Sequence, residues 1–587
     1  MSFLKRVFST VIGIFIFLII CFFGILLLGL LFGSGTDDLV SVKSNSVLEL
    51  KLDFPINDYA GKTKFAEYSF LNEDIKNGLF NIIDAIKYAE TDDKIKGISI
   101  DNNFINAGIS QTKALRGALL KFKASGKFVV AYGDMYSQKD YYLSSVADTI
   151  YLNPVGIMEF KGLSTERLYF KDFQEKTGLK MEVIRLGKYK SAVEPYIANE
   201  MSDNNREQIS VYLNSLWSEM KQDISKSRHI SVDRLNIIAD SLLARNPNMA
   251  KTSNLIDKIA YHDEYVNGMK HAIGIQSGKD LNSVNIADYA EYAATKLKSN
   301  YSKNKIAVIY AEGDIMYAEG EKGTVGHISI NKSLQKVRND DKVKAVVLRV
   351  NSPGGSALAS ELIWREIELT KKVKPVIVSM GDLAASGGYY IAANADKIIA
   401  EPTTITGSIG VFGMLPNGKD LADNIGINAE QVVTNKNAVT YSFFEPLNDD
   451  QRGFIKEGVL DIYDLFTKRV ADGRNLTREQ VEAIAQGRVW TGADALNIGL
   501  VDKLGGLDLA LEYAVEASGI EDYQIREFPV FEKDLEKILQ DLGLVKTKEA
   551  ILSDELGEEN YKLLKEVKRL SQKKGVQLLF PFSVEIK

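Results

Sequence analysis

The sequence predicts an α/β fold built as two tandem copies of one unit, and two observations carry that reading. The first is alternation. In the C-terminal half, β-rich runs at 306–310, 345–350 and 376–380 alternate with helical runs at 334–338 and 357–371. Apolar strands separated by helices predict largely parallel sheets covered on both faces. The second observation is duplication. A shift of 248 positions carries Thr91-Asp92-Asp93-Lys94-Ile95 onto Asn339-Asp340-Asp341-Lys342-Val343 without a gap. The same shift takes Gly133-Asp134 to Gly381-Asp382, Tyr141-Tyr142 to Tyr389-Tyr390, and Ala147-Asp148 to Ala395-Asp396. Pro154 falls on Pro402 and Gly178 on Gly426. Further on the register drifts by a few residues, so that Glu194-Pro195 matches Glu445-Pro446 and Asp257-Lys258 matches Asp502-Lys503.

Composition narrows the function classes. With 45% hydrophobic and 26% charged residues the chain is ordinary globular material. Its net charge of −6 gives no reason to expect nucleic-acid binding. Cys21 is the one cysteine, so no intrachain disulfide and no cysteine-held zinc is expected. His229, His262, His271 and His327 are scattered without ligand spacing. No metal and no cofactor is therefore expected.

From the N-terminus, residues 11–32 carry no charge. As a helix they would measure about 33 Å, enough to span a bilayer. Lys5 and Arg6 precede them, and Asp37 and Asp38 follow. The positive-inside rule then keeps the N-terminus cytoplasmic and sends the rest of the chain across. A cleaved signal peptide is the alternative, since Gly33-Ser34-Gly35 offers a cleavage site. The apolar run exceeds the roughly 7–15 residues of a signal-peptide core, which favours an anchor. The expected organisation is a stub and anchor at 1–33, a first repeat at 46–300, a second at 304–525, and an extension at 526–587. Within the extension, 533–542 and 558–572 read as charged amphipathic helices in solvent.

Three motifs stand out. Gly381-Asp382-Leu383-Ala384-Ala385-Ser386-Gly387-Gly388-Tyr389-Tyr390 follows an apolar strand and leads into a helix, read as reaching Ala395. Ser386 sits at the helix start, where free N–H groups and the helix dipole favour a hydroxyl. Its bland reading is an N-cap. Asn351-Ser352-Pro353-Gly354-Gly355 is a Gly-rich turn after a second buried strand, with N–H groups that can face an oxyanion. The third is Tyr189-Lys190-Ser191-Ala192-Val193-Glu194-Pro195-Tyr196. Together, and in this order, they resemble the Clp-protease/crotonase superfamily and within it the signal peptide peptidase A (protease IV) family in its long, duplicated form. The resemblance covers roughly 46–525.

It implies a fold of repeated ββα units, a serine endopeptidase with a Ser-Lys dyad, and released signal peptides as substrates. It also implies a homotetramer on the bacterial inner membrane, with its catalytic domains on the periplasmic side. Ser386 is the implied nucleophile and Lys190 the general base. The oxyanion donors are Gly355 and Gly387, with Gly354 as the neighbouring alternative.

The duplication acts as an internal control. Moved back by 248, Ser386 falls on Gln138, Gly387-Gly388 on Lys139-Asp140, and Gly354-Gly355 on Asn106-Ala107. If Ser386 were only a cap, the first copy should keep a capping residue there, and Gln is a poor one. Moved forward, Lys190 falls on Ala438, whereas Lys188 falls on Lys436. Each copy thus carries half a site, and the sequence leaves open whether the halves meet within one chain or between chains. No histidine lies in the motifs, so a Ser-His-Asp triad has little support. A lysine base must be neutral, which near pH 7 needs a shift of roughly 3 units, about 4–5 kcal/mol. Burial at a domain interface supplies shifts of that size. An acyl-CoA hydratase or isomerase on the same fold would need a nucleotide site and usually acidic catalytic groups. An inactive membrane scaffold would not need Ser386, Lys190 and the glycine turns intact.

Overall fold

The structure, a computed structural model, describes residues 41–63 and 78–531 apart from 103, 277 and 298–301, together with 8, 10, 12–21, 23, 24, 557 and 576–579. Of the expected anchor at 11–32, residues 12–21, 23 and 24 are described and helical; the rest lies outside the described residues, as do the expected helices at 533–542 and 558–572. No helix among the described residues is long and apolar enough to cross a membrane.

The apolar runs of the first copy pair in parallel. β1 (Ser46–Leu50), β2 (Ile95–Asp101), β3 (Phe128–Tyr136) and β4 (Thr149–Met158) lie side by side. Helices α1 (Leu79–Thr91), α2 (Ile109–Ala124) and α3 (Gln138–Ser144) connect them. Ile98, Ile100, Val129, Ala131, Ile150 and Leu152 are fully buried, against Leu115, Leu119 and Phe122 of α2. Each large apolar side chain buried this way contributes about 1.5–3 kcal/mol. β5 (Lys180–Leu186) then leaves this sheet, and the long helix α4 (Asp203–Arg228) follows it.

The second copy repeats the plan. β6 (Lys305–Glu312), β8 (Val343–Ser352) and β10 (Val376–Ala385) are parallel and central in an eight-stranded sheet, with β11 (Ile405–Gly407) beside β10. Helices α5 (Ala357–Lys371) and α7 (Leu507–Ser518) pack on it, each against its own cluster of buried strand residues. Short strands β7 (Asp314–Met316) and β9 (Gly354–Ser356) branch off after β6 and β8. The expected helix at 334–338 is longer, His327–Asn339. The helix after Ser386, α6 (Gly387–Ala392), is shorter than expected. There the chain turns so that Asp396 can bond Val376 through both its N–H and its carboxylate.

Residues shared by the copies make the same bonds in each. The Asp148 and Asp396 carboxylates each accept an N–H near the start of the neighbouring strand, at Val129 and Val376, both at 2.8 Å. Asp257 accepts from Ile150 N and pairs with Arg228, as Asp502 accepts from Ile398 N and pairs with Arg474. Tyr141 and Tyr389 donate their buried hydroxyls to Leu255 O and Leu500 O, both at 2.9 Å. A buried polar group left unpaired costs about 1–3 kcal/mol, which explains why both partners persist in both copies.

A third sheet joins the halves. Its order is Thr324–Gly326, β7, β9, β13 (Val576–Leu579), β12 (Val411–Asn417), β5. β12 pairs antiparallel with β5 of the first copy over seven residue pairs, from Val411 with Leu186 to Asn417 with Lys180. Strand Gln524–Phe528 pairs with β6 and straddles the boundary drawn at 525. Beyond the two expected helices of the extension, the backbone of Val576–Leu579 pairs on both sides.

Candidate active site

The β5–β12 ladder fixes where Lys190 lies. β5 ends at Leu186, and the chain turns at Gly187 to reach Lys190, just before a short 3₁₀ turn at Ser191–Val193. Ser386 stands between β10 and α6. The structure places Lys190 Nζ 2.8 Å from Ser386 Oγ, within one chain. Both residues are fully buried. Lys190 Nζ also lies 3.0 Å from Ser408 Oγ and 3.1 Å from Ser408 O. Burial drives the Lys190 pKa well below the ordinary lysine value.

Ser386 is not a helix cap. Its hydroxyl makes no capping bond, and its backbone has φ 56° and ψ −116°. A side chain held there costs on the order of 1–3 kcal/mol, and strain of this kind clusters at functional sites. Its N–H donates to Gly407 O at 2.8 Å, which ties the strained residue to β11. The first copy corrects one expectation. It does keep a cap, Ser137, whose hydroxyl accepts from Asp140 N. The first-copy helix starts one position earlier, so the cap moved. Gln138 instead turns its amide onto Lys161 N, Gly162 N and Gly162 O.

The glycines mark close backbone approach. A Cβ on Gly387 would sit 3.1 Å from Gly355 N and 2.8 Å from Ser360 Oγ. A Cβ on Gly388 would sit 2.6 Å from Ser352 O, and one on Gly355 would collide with Ile315 O. β9 therefore presses on the first turn of α6, with Gly355 beside Gly387. Lys188 stays outside this cluster, its ammonium over the Tyr189 ring at 5.2 Å. The histidines lie elsewhere: His262 pairs with Asp101, and His327 stacks on Tyr317.

Three residues of the site escaped the sequence reading. Ser408, at φ 51°, presents both its hydroxyl and its carbonyl to Lys190. Gly487, at φ 79°, leaves room for the lysine; a Cβ there would sit 2.6 Å from Lys190 Cβ. Arg488 accepts the Ser408 N–H at its carbonyl, 2.7 Å away. Its guanidinium lies between the Tyr189 and Trp490 rings, 4.9 and 4.6 Å from their centres, and pairs with Glu207 at 3.0 Å. The duplication held a signal for Ser408, since a shift of 248 sets it against Phe160.

Relatives agree with this architecture. Peptidase family S49 matches the chain twice, over residues 121–276 and 368–521, so one match contains Lys190 and the other Ser386. The chain is 37% identical to Protease 4 of Haemophilus influenzae over 514 residues, 85% of this chain and 83% of that protein. It is 38% identical to Protease 4 of Salmonella typhi over 460 residues, 77% of this chain and 74% of that one. The chloroplastic serine protease SPPA of Arabidopsis thaliana is 35% identical over 444 residues, 74% of this chain and 64% of that one. A mutant ClpP1 from Listeria monocytogenes superposes with a TM-score of 0.24 at 14% identity, over 34% of this chain and 91% of that one, too loosely to bear on the fold. The chain belongs to peptidase family S49, and it is a serine peptidase with two copies of that family's domain.

Proposed function

We propose that Ser386 and Lys190 form the catalytic dyad and that the enzyme degrades released signal peptides while anchored in the bacterial inner membrane. The observation that carries the dyad is the 2.8 Å contact between two fully buried groups, one from each copy. A neutral lysine amine has two N–H bonds and one lone pair. Ser408 supplies two acceptors for the N–H bonds, its carbonyl and its hydroxyl. The lone pair is left for the Ser386 hydroxyl, which is the geometry a general base requires.

The reaction is acyl transfer. Lys190 takes the Ser386 proton as Oγ attacks the peptide carbonyl carbon. The N–H groups of Gly355 and Gly387 receive the oxyanion; such donors contribute about 3–4 kcal/mol each to the transition state. The ammonium then gives its proton to the leaving amine, and water hydrolyses the acyl-enzyme with Lys190 again as base. No cofactor takes part. Lys5, Arg6 and the uncharged run at 11–32 support the anchor and the periplasmic placement of the catalytic domains. A homotetramer follows from the family resemblance.

Fluorophosphonate labelling of the purified chain tests the dyad. One label per chain is expected, on Ser386, absent in Ser386→Ala and reduced at least about 10³-fold in rate in Lys190→Ala. Labelling of Lys190→Ala at the wild-type rate would remove the lysine from the mechanism.

A further inference from the structure

The first copy lacks a helix cap that the second copy has, and the strand leading to Ser386 supplies it. The shift of 248 sets Gly108 against Ser356. In the second copy Ser356 caps α5, its hydroxyl accepting the Ala359 N–H at 3.3 Å. In the first copy Gly108 holds the same place before α2 and has no hydroxyl to offer. Gln111 still makes half of a capping box, its amide oxygen accepting the Gly108 N–H at 2.9 Å. The other half comes from Asp382, 272 residues beyond Ser110, whose carboxylate accepts the Ser110 N–H at 2.7 Å. A Cβ on Gly108 would collide with that carboxylate, so a local cap and this remote one exclude each other. Asp134, the twin of Asp382 in the first copy, instead accepts from Tyr132 and Asn153 of its own copy, both at 2.8 Å.

That bond crosses the interface on which Ser386 meets Lys190. β10 carries Asp382 and ends one residue before Ser386. Four residues of extended strand separate the two, roughly 13 Å. Between them, Leu383 and Ala385 share one apolar cluster with Ile109 of α2 and with Ile209, Tyr212 and Leu216 of α4. α4 also holds the lysine side. Its Gln208 donates to Tyr189 O and to Ser191 Oγ, both at 3.0 Å, on either side of Lys190. The first turn of α2 is held from a second direction, since Gln111 also donates to Asp58, which pairs with Arg349. A slip of β10 against α2 therefore moves Ser386 relative to Lys190.

We propose that Asp382 is a positioning residue for the peptidase reaction: by capping α2 of the first copy, it fixes the strand that leads to Ser386 against the copy that carries Lys190. The proposal rests on the dyad reading above. A helix is commonly capped by the residue just before it. Taking the cap from β10 makes one bond serve two ends, the stability of α2 and the register of the nucleophile. A displacement of about 1 Å at a reacting group costs on the order of 100-fold in rate.

The test is a double-mutant cycle on the full chain. Asp382→Ala removes the remote cap. Gly108→Ser completes a Ser-x-x-Gln capping box for α2 and displaces the Asp382 carboxylate. Each change alone should lower kcat for a fluorogenic peptide about 100-fold and leave KM within about twofold. The two together should also lower kcat about 100-fold, because both break one link. The double variant should melt at a higher temperature than Asp382→Ala, since α2 then has its own cap. Asp382→Asn keeps an acceptor oxygen and should recover at least about tenfold of the kcat lost in Asp382→Ala. Wild-type kcat in both single variants would overturn the proposal, as would Asp382→Asn no faster than Asp382→Ala. A double variant that regains wild-type kcat along with its melting temperature would reduce Asp382 to holding α2 folded, and a combined loss of about 10⁴-fold would make the two sites independent; either result overturns the proposal. Fluorophosphonate labelling separates this proposal from the dyad reading. Labelling of Ser386 should slow in step with kcat. A wild-type label on a different serine would overturn the dyad reading and this proposal with it, whereas Ser386 labelled at the wild-type rate in both single variants would overturn this proposal alone.

Discussion

Lys190 shows how burial alone can lower the pKa of a lysine. It is wholly buried. No neighbouring carboxylate counters that effect. Among the described residues, the Lys190 amine hydrogen-bonds only Ser408 besides Ser386. Ser408→Ala should therefore act as loss of a positioning residue. One hydrogen bond at a buried amine is worth about 1–3 kcal/mol, so kcat should fall roughly 10- to 100-fold. KM should stay within about twofold, because Ser408 serves the amine and not the peptide. Steady-state hydrolysis of a fluorogenic peptide separates the two constants, and an unchanged kcat would show that Ser408 is dispensable.

Among the elements, the loop from Gln486 to Arg488 holds the two copies in register around Lys190 and Ser386. Gln486 O accepts from Tyr189 N, Ile409 O accepts from Gly487 N, and Arg488 O accepts from Ser408 N. One loop thus touches the residue before Lys190, the residue after Ser408, and Ser408 itself. Gly487→Ala meets two obstacles: the positive φ of 79° and the Lys190 Cβ at 2.6 Å. The strain costs about 1–3 kcal/mol, and displacing the lysine by about 1 Å costs on the order of 100-fold in kcat. Thermal melting reads the first effect and peptide hydrolysis the second. A fully active Gly487→Ala enzyme would mean that this loop does not position Lys190.

Across the whole molecule, the copies are clamped by acidic groups around one buried arginine. Asp58 of the first copy pairs with Arg349 of the second at 2.8 Å, both almost inaccessible to solvent. Glu312 accepts the Asp58 N–H, and Asp382 accepts the Ser110 N–H at 2.7 Å. Burial pushes Asp382 up to about 6 and Glu401 to about 7, and raises Glu312 as well. Each of these carboxyls holds its proton more tightly folded than unfolded. Their stabilisation is complete below about pH 4, the unfolded carboxylate value, and is lost as pH rises through 6 to 7. Lys190 acts in the opposite sense, since its folded pKa is depressed and stability rises with pH above it. In a Lys190→Ala background the melting temperature should be higher at pH 5.5 than at pH 8. Adding Asp382→Asn should flatten that difference by about 1 kcal/mol, because only part of the Asp382 titration lies above pH 5.5. An equal melting temperature at both pH values would show that the cluster does not take up protons.

The two-copy α/β plan was legible because it rests on local and repeated signals. Apolar runs such as 345–350 and 376–380, short and set between helical runs, read as buried strands, and Tyr141/Tyr389 and Asp148/Asp396 recur because each closes a buried hydrogen bond. Ser386 and Lys190 were legible for the opposite reason, as places where one copy departs from the other. The support around them was not. Gly487 and Arg488 lie some 300 residues beyond Lys190 in the chain, and nothing in their local pattern announces that they enclose it. The cap at Ser137 was missed because a one-residue slip in helix start cannot be read from a shift that matches the copies residue by residue. Whether the two halves of the site meet within one chain was decided by the ladder between β5 and β12. Such pairing depends on backbone groups brought together by the fold, and backbone groups are the same in every residue but proline.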